Sequence, residues 1–438
     1  MVLIVGMARS GVAAAKLLQS RGKTVFATDS GAAPLRSELD TLGIPYEAGG
    51  HTSARFLEAE EIVMSPGVPL NIPPLGAARR KGIPIVSEIE VAFRYIQGDI
   101  VAITGSNGKT TTTTLVGEVL NTTGRPVQVG GNIGTAMSSL VDSSRPTTIN
   151  VVEVSSFQLD GIQKFRPKVA VLTNITPDHL DRYADFRAYR ASKFRIFENQ
   201  QPSDFAIRNR DDAEVYPPES AGMARQRFFS RKQQNAEDGA YRSGDTLYLD
   251  GKPIMPVTDV SLRGAHNIDN VLAAMTVADC YGVPAPAMSE AIRKFRGVEH
   301  RIEFVSTVNG VRFFNDSKAT NVDSAIKAVE SFDGNLIIIL GGLDKGAPYS
   351  PLVDVMIPRV KLAILIGAAA DKIAGAIGGR LPVARAGSLS DAVRLGLENG
   401  KPGDVVLLSP ACASFDMFDN YEHRGKVFKE AVLAWPGN

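Results

Sequence analysis

The 438-residue sequence is poor in the residue types that mark several protein classes. It holds only two cysteines, Cys280 and Cys412, which lie in apolar stretches without CxxC spacing. Two separated thiols argue against a disulfide scaffold and against a cysteine-based zinc site, and they favour a reducing compartment. We therefore expect a cytoplasmic protein.

Net charge and long apolar runs are also lacking. Lys and Arg number 48 and Asp and Glu 47, a balance of +1, so no basic field indicates nucleic acid or an anionic membrane. No window approaches the roughly 18 apolar residues of a membrane span. The first residues, MVLIVGMARSG, lack the basic region of a signal peptide. We expect a monomer with neither a nucleic-acid nor a membrane partner.

Short apolar runs alternate with helical patterns along three successive segments. VLIVG and TVFATD are examples near the start, TINVVEVSS and KVAVLTNI follow, and NLIIILGG and KLAILIG come last. Such alternation predicts βαβ units and parallel sheets. YLDGKPI, and VNGVRFFND with its turn at Asn309-Gly310, predict two hairpins. We predict an α/β fold with three domains: a Rossmann-like domain at 1–97, a central P-loop NTPase-like domain with a mostly parallel sheet at 98–297, and a Rossmann-like C-terminal domain at 298–438.

A glycine-rich turn follows an apolar strand in VAITGSNGKTTTTT, residues 101–114. Such a turn gathers backbone N–H groups and a helix N-terminus around one point, which favours phosphate. Lys109 can then reach the β- and γ-phosphates, and Thr110 can bind Mg²⁺. The usual longer glycine spacing is absent, and Gly105 opens a shorter form of the loop. A plain turn with capping threonines is the alternative, but the strand–turn–helix order favours ATP.

Two polar residues follow later apolar strands. Glu153 lies in VVEV, at the end of an otherwise apolar strand, a costly place for an unpaired carboxylate, and is a candidate magnesium ligand. His179 lies in VLTNITPDHLDRY, after another strand. Because magnesium prefers oxygen ligands, His179 alone is interpreted as a loop residue bonded to a neighbouring aspartate.

A lysine shares the apolar stripe of the next predicted helix. In ADFRAYRASKFRIFE, Lys193 falls at helical spacing with Phe186, Tyr189 and Phe197. Such a lysine either extends its ammonium to water or is desolvated, with a lowered pKa. In the second case it is partly neutral and can react with CO₂ to form a carbamate, an oxygen ligand for a second magnesium.

The N-terminal segment has the layout of a dinucleotide site. GMARSG follows the first strand, and Asp29 comes about 20 residues later. An NAD-dependent dehydrogenase is therefore an alternative function. Ala8 replaces the middle glycine and would crowd the backbone where a pyrophosphate approaches, which disfavours that alternative. A plain βα turn is the remaining interpretation.

In chain order, TGSNGKTT, GGNIG, EVSSFQL, DHLDRY, the helical Lys193, HNIDN and EHR resemble the Mur ligases, the ATP-dependent amino-acid ligases of peptidoglycan precursor synthesis. The resemblance spans nearly the whole chain. NDSKATN, GGLDKG and SPACASFDMFDNYEHRG are most similar to the members that add D-glutamate. The resemblance implies UDP-N-acetylmuramoyl-L-alanine and D-glutamate as substrates, joined through an acyl phosphate with ATP and two Mg²⁺ sites. A related Mur-type or folylpolyglutamate-type ligase with another amino acid is the alternative.

The resemblance also implies roles for matching residues. Catalytic roles fall to Lys109, Lys193, His179 and Lys318. The residues that would bind the phosphates of ATP are Gly105, Asn107, Gly108, Lys109, Thr110 and Thr111. Those that would contact its adenosine are Asn267, Asn270, Arg301 and Asp316. The metal ligands are Thr110 and Glu153 at one site, and His179 and carbamylated Lys193 at the other. The residues that would bind the UDP end are Ser10, Asp29, Ser30, Ser65 and Gly67. Those that would bind the muramoyl-alanine are Asn132, Ser155 and Gln158. Those that would bind D-glutamate are Thr320, Lys345, Ser414 and Tyr421.

Overall fold

The computed structural model describes residues 1–31, 35–178, 182–216, 222–232 and 238–435. Strands and helices alternate and form three sheets, which confirms the α/β fold class. By compactness the chain forms two units, the first being Met1–Asp259 with Asp269–Phe295 and the second Val260–Ile268 with Arg296–Asn438. The boundaries of the three predicted domains stay a prediction.

The first sheet has five parallel strands in the order β3-β2-β1-β4-β5, the order of a Rossmann fold. Its apolar runs are buried because helices cover both faces. The strands are β1 (Val2–Val5), β2 (Val25–Asp29), β3 (Tyr46–Ala48), β4 (Glu61–Met64) and β5 (Ile85–Ser87). The helices are α1 (Arg9–Ser20), α2 (Arg36–Leu42), α3 (Ser53–Glu58), α4 (Pro73–Arg80) and α5 (Glu88–Phe93).

The second sheet has nine strands in the order β14-β13-β12-β11-β10-β9-β6-β8-β7. It is parallel from β12 to β7 and ends in an antiparallel hairpin, predicted from YLDGKPI and confirmed here. The strands are β6 (Asp99–Thr104), β7 (Val127–Gly131), β8 (Ile149–Glu153), β9 (Val169–Leu172), β10 (Phe205–Asn209), β11 (Arg225–Ser230), β12 (Gly239–Ser243), β13 (Thr246–Leu249) and β14 (Lys252–Pro256). The helices are α6 (Lys109–Leu120), α7 (Met137–Leu140), α8 (Ser156–Leu159), α9 (Phe186–Phe194), α10 (Ala265–Cys280) and α11 (Ala285–Lys294).

Two buried glutamates of α5 join the first and second sheets within the first unit. Glu88 accepts a hydrogen bond from the backbone N–H of Ser138, at 2.6 Å. Glu90 accepts three from the consecutive backbone N–H groups of residues 163–165, at 2.8–3.0 Å. Burial raises the pKa of Glu88. The buried carboxylate of Glu90 thus accepts from three consecutive backbone amides, of which that of Phe165 is buried.

The third sheet lies in the second unit, with the order β15-β16-β20-β17-β18-β19, and is parallel except for the β15–β16 hairpin. Asn309 and Gly310 turn this hairpin, as predicted, with φ of 51° and 79°. The strands are β15 (Glu303–Val308), β16 (Val311–Asn315), β17 (Leu336–Gly341), β18 (Val360–Ile366), β19 (Val383–Arg385) and β20 (Val405–Leu408). The helices are α12 (Val322–Glu330), α13 (Ser350–Met356), α14 (Ala370–Ile377), α15 (Leu389–Asn399) and α16 (Tyr421–Leu433). Among the described residues, no helix has the length and apolar character needed to cross a membrane.

Candidate functional site

The glycine loop between β6 and α6 has a backbone that only glycine can adopt. Gly105 has a φ of 148°, and a Cβ there would lie 2.0 Å from Thr173 Oγ1. Gly108 has a φ of 80°, and a Cβ there would lie 2.4 Å from Asn270 Oδ1. The predicted turn therefore has the close backbone approach that phosphate binding requires.

Side chains behind the loop hold it in place. Asn174 Oδ1 accepts from the backbone N–H of Asn107 at 2.9 Å, and Thr173 Oγ1 donates to the Asn107 carbonyl at 2.7 Å. Thr112 Oγ1 donates to Asn270 Oδ1 at 3.1 Å. Thr111 is buried beside these groups in the first turn of α6. The polar run after the strand is thus largely internal.

Two lysines converge on one carbonyl of this loop. Lys109 Nζ lies 2.9 Å from the carbonyl oxygen of Gly105, and Lys193 Nζ lies 2.8 Å from the same atom. Lys193 is only 2% exposed, and its ammonium lies 4.6 Å from the ring centroid of Tyr189. Desolvation, and then the nearby charge of Lys109, lower the pKa of Lys193 well below its ordinary value. Of the two interpretations offered for this lysine, the structure has the desolvated one.

The predicted oxygen ligands meet at the ends of neighbouring strands. Thr110 Oγ1 donates to Glu153 Oε2 at 2.6 Å, and Asn132 Nδ2 donates to Glu153 Oε1 at 3.0 Å. The register explains this, because Gly131 at the end of β7 is paired with Glu153 at the end of β8. A hydroxyl and a carboxylate side by side are a donor set that suits Mg²⁺. His179, the predicted ligand of a second ion, lies outside the described residues.

The residues predicted for the muramoyl-alanine lie near this edge of the second sheet. Ser155 and Gln158 form a capping box at α8, in which the Ser155 hydroxyl accepts from the Gln158 N–H at 3.3 Å. Gln158 Nε2 is buried and, within the described part of the chain, has no hydrogen-bond partner. A buried amide donor without a partner is costly unless a ligand accepts from it.

The residues predicted for UDP cluster at the carboxyl edge of the first sheet. Asp29 accepts from the backbone N–H groups of Met7 and Gly31, at 2.7 and 2.8 Å. Ser65 Oγ donates to the Gly6 carbonyl at 3.0 Å. The other predicted contacts, at the start of α1, after β2 and in the turn after β4, are Ser10, Ser30 and Gly67.

Ala8 precedes α1 with an ordinary extended backbone. Its φ is −88° and it is exposed, so this position does not itself require glycine. Gly6, by contrast, has a φ of 97°, and a Cβ there would lie 2.7 Å from Ser65 Cβ. The turn therefore tolerates Ala8 in place of the middle glycine of the dinucleotide pattern.

Sequence reasoning missed Arg182, which links the first sheet to the loop that follows β9. Its guanidinium donates to the carbonyls of Gly67 and Val68 at 3.2 and 3.0 Å, and it stacks over the Phe157 ring at 4.3 Å. Arg182 belongs to DHLDRY, but nothing in the local sequence indicates which carbonyl groups its guanidinium contacts.

In the second unit, three loops follow the adjacent strands β16, β20 and β17. They carry four residues predicted for the amino acid or for catalysis, which are Lys318, Thr320, Ser414 and Lys345. Ligands of open α/β sheets bind at such carboxyl ends. Leu343 and Ala413 exchange two backbone hydrogen bonds, at 2.9 and 3.0 Å, which ties the loop after β17 to the loop after β20.

In these loops, two of the predicted lysines lie close to other residues predicted for the amino acid. Lys345 is exposed, and its Nζ lies 3.5 Å from Thr320 Oγ1. Lys318 Nζ lies 5.1 Å from the ring centroid of Tyr421. Ser414 is buried in its loop. The structure thus brings the residues predicted for the amino acid to one edge of the third sheet.

Arg424 was also missed, although it lies in the quoted stretch SPACASFDMFDNYEHRG. It is 2% exposed and donates to the Ser317 hydroxyl at 3.0 Å and the Ser317 carbonyl at 2.8 Å. It donates further to the carbonyls of Cys412 and Ala413, at 3.2 and 3.3 Å. Burial lowers the pKa of Arg424 to about 10. One guanidinium therefore joins the loops after β16 and β20 to α16.

A cavity of about 600 Å³ lies within the second unit and is lined by Asn267 and Arg301, both predicted for adenosine. Phe304 and Phe314 also line it, and Phe304 is 55% exposed. Arg301 Nε is buried and lacks a hydrogen-bond partner among the described residues. Flat apolar rings beside polar donors suit a nucleobase.

Asp316, at the end of β16, is a buried carboxylate close to this cavity. Burial raises the pKa of Asp316 to about 7, against the nearby charge of Arg301. Its Oδ2 accepts from Ser409 Oγ at 2.8 Å, and its Oδ1 from the backbone N–H of Ile302 at 3.3 Å. Asn270, the fourth residue predicted for adenosine, lies instead behind Gly108 in the first unit.

Comparison with known proteins gives a consistent result along the chain. The family model for the Mur ligase MurD-like N-terminal domain matches residues 1–87, that for the Mur ligase middle domain 103–278, and that for the Mur ligase glutamate ligase domain 300–412. A UDP-N-acetylmuramoylalanine–D-glutamate ligase of Acidobacterium capsulatum is 47% identical over 445 residues, which cover 100% of this chain and 96% of the relative. One of Koribacter versatilis is 48% identical, with 98% and 96% covered.

Solved structures share the fold. The UDP-N-acetylmuramate–alanine ligase of Thermotoga maritima has a TM-score of 0.65 at 19% identity, with 99% of each chain covered. A pseudomurein peptide ligase of Methanothermus fervidus has a TM-score of 0.60 at 18% identity, with 93% of this chain and 96% of that one covered.

Proposed function

Because this chain belongs to the Mur ligase family, we propose that it is an ATP-dependent ligase that joins D-glutamate to UDP-N-acetylmuramoyl-L-alanine. The observation that carries the proposal is the Thr110–Glu153 pair beside the glycine loop, in a chain that matches D-glutamate ligases over its full length. The relatives do not support the dehydrogenase alternative, since both are ligases.

The chemistry explains why a phosphate loop accompanies an amide-forming activity. A carboxylate does not react with an amine until one of its oxygens becomes a good leaving group. In the proposed reaction the L-alanyl carboxylate attacks the γ-phosphorus of ATP, which gives an acyl phosphate and ADP. The amine of D-glutamate then attacks the acyl carbon, loses a proton and expels inorganic phosphate, so that an amide remains.

The first unit would stabilise the negative charge of the phosphoryl-transfer step. The N–H groups of the glycine loop and the start of α6 favour phosphate, and Lys109 extends from the first residue of that helix. Lys109 now donates to the carbonyls of Gly105 and Ser106, so it would exchange these for phosphate oxygens. Preorganised donors of this kind are typically worth on the order of 10²–10³ in kcat.

The oxygen ligands at the loop fit magnesium. Thr110 and Glu153 would hold one ion, and Lys193 as a carbamate, with His179, would serve a second. Magnesium would neutralise the charge that gathers on the phosphates. Lys193 suits carbamate formation because its buried amine has a lowered pKa.

The other assignments remain part of the proposal. Gln158 Nε2, a buried donor without a partner among the described residues, would bond the muramoyl-alanine together with Asn132 and Ser155. A nucleoside would occupy the cavity beside Asn267 and Arg301. D-glutamate would be held by the loops after β16, β17 and β20, with the ammonium of Lys345 opposite a carboxylate and Lys318 beside developing charge.

Phosphate release tests the function. With ATP, magnesium and UDP-N-acetylmuramoyl-L-alanine, we expect inorganic phosphate to form in proportion to added D-glutamate, together with an amide product detected by mass spectrometry. L-glutamate, L-alanine and L-lysine, tested in place of D-glutamate, are the control acceptors. A clear preference for any of these over D-glutamate would contradict the proposed acceptor, and phosphate release without any amine would contradict the ligase.

A further inference from the structure

A partly exposed hydrogen-bond system lies at Asp344, the residue before the exposed Lys345. The Lys372 ammonium lies 2.5 Å from Asp344 Oδ2, and the Tyr349 hydroxyl donates to Asp344 Oδ1 at 2.9 Å. Asp344 directly precedes Lys345 in the chain, so its carboxylate anchors the turn that carries this lysine.

Tyr349 is itself fixed from the other side. It is 3% exposed, and its hydroxyl oxygen lies 3.1 Å from Cys412 Sγ. A tyrosine has one hydroxyl proton, and Asp344 accepts it, so the thiol of Cys412 donates to the tyrosine oxygen. Cys412 belongs to the loop after β20, which Arg424 also holds through the Cys412 carbonyl. The Asp344 carboxylate thus adds to the Leu343–Ala413 backbone hydrogen bonds that connect this turn to the loop after β20.

The charges in this system favour an anionic ligand at Lys345. Burial raises the pKa of Asp344, but hydrogen bonds from Lys372 and then Tyr349 more than offset it, so that the pKa lies below its ordinary value. Asp344 is therefore ionised and already balanced by the Lys372 cation. Without these partners the carboxylate would compete with an acidic ligand for the ammonium of Lys345.

We propose that Asp344, held by Tyr349 and Lys372, is a positioning residue that directs the ammonium of Lys345 toward a carboxylate of the acceptor amino acid. The inference rests on the proposed placement of D-glutamate at Lys345. The turn sets the position of the Lys345 Cα and the direction of its Cα–Cβ bond, and so limits where the flexible side chain can place its ammonium.

Steady-state kinetics with D-glutamate as the varied substrate test this role. In Asp344→Ala we expect the KM for D-glutamate to rise about tenfold, the effect of losing one charged hydrogen-bond system. In Tyr349→Phe, which keeps the ring and so the packing, we expect a rise of about three- to fivefold. We expect kcat and the KM values for ATP and the UDP substrate to stay within about twofold of the wild type.

Asp344→Asn is the rescue variant, because its amide oxygen can still accept from the Tyr349 hydroxyl. We expect its KM for D-glutamate to lie between those of the wild type and Asp344→Ala. Tyr248→Phe, on β13 of the first unit, is the matched control and should not alter any KM. Thermal unfolding followed by the fluorescence of Trp435 separates effects on folding from effects on binding.

The outcomes are separable. A wild type that makes no product from D-glutamate would overturn the proposed function. An active wild type whose variants keep the D-glutamate KM within about twofold would overturn the positioning role alone. Equal losses in kcat for all substrates, with a lowered unfolding temperature in Tyr349→Phe, would also overturn it.

Discussion

At the scale of single residues, the most informative group is the buried side chain of Lys193. Among its described contacts, no carboxylate lies at hydrogen-bond distance. Lys193 donates to the Gly105 carbonyl and faces the Tyr189 ring. Burying an ammonium this way is costly, and the cost shifts the equilibrium toward the neutral amine. The neutral amine is the form that reacts with CO₂, as the proposed carbamate requires.

We predict that Lys193→Ala lowers kcat by about 10²–10³, and that acetate or propionate restores part of the activity by supplying the missing carboxylate. A carbamate also gives a direct signal: wild-type protein in carbon-13-labelled bicarbonate should show a carbamate resonance that the variant lacks. Lys23→Ala, at an exposed position, is the control. No rescue and no resonance would rule out the carbamate.

The residue types at the site were predictable, but their environments were only partly so. Glycine at positions 105 and 108 follows from the loop pattern, and Glu153 from its place at the end of an apolar strand. Whether Lys193 reached water or stayed buried could not be decided, since one helical stripe permits both. The exposure of a side chain depends on elements distant in sequence, here the loop that begins at Gly105.

At the scale of elements, the loops after the parallel strands of the second unit depend on Arg424. Its guanidinium makes bonds to Ser317, Cys412 and Ala413, all neutral acceptors. Buried carbonyls left without a donor are costly, so the loops and the arginine stabilise one another.

Arg424→Lys tests this dependence. A lysine keeps the charge but has three donors on one atom and lacks the planar fork. We therefore expect the free energy of unfolding of the second unit to fall by roughly 3 kcal/mol. Urea unfolding followed by Trp435 fluorescence measures it, because Trp435 is the sequence's single tryptophan and packs against a core of this unit.

Arg394→Lys is the control for that experiment, since Arg394 is exposed on α15 and pairs with Asp391 and Glu398. Exposed pairs contribute about 0–1 kcal/mol. Equal small shifts in both variants would show that Arg424 is not needed for the loops.

Elements were more predictable than their connections. The alternation of apolar runs predicted the α/β class, and the Asp250-Gly251 and Asn309-Gly310 turns predicted two hairpins, because both need a positive φ. The grouping of Val260–Ile268 with the second unit was not predicted. Local periodicity reports which face of an element is buried but not which distant element covers it.

At the scale of the whole molecule, the first unit contains two sheets that share buried polar contacts. Besides the bonds of Glu88 and Glu90, the backbone N–H of Ser87 donates to the Gly161 carbonyl at 2.9 Å. A Cβ on Gly161 would lie 2.5 Å from the Ser87 nitrogen, so the two backbones approach closely. Two sheets joined in this way should unfold as one cooperative body.

Glu90→Ala tests that cooperativity, since it removes the acceptor of three backbone N–H groups, of which that of Phe165 is buried. An unsatisfied buried group costs roughly 1–3 kcal/mol, so we expect the first unit to lose about that much of its free energy of unfolding. The transition seen by far-ultraviolet circular dichroism should move to lower urea by more than that of Trp435 fluorescence, which reports the second unit. Glu58→Ala, at an exposed site, should shift neither. A dichroism trace in which only part of the first unit's amplitude moves would contradict a single cooperative body.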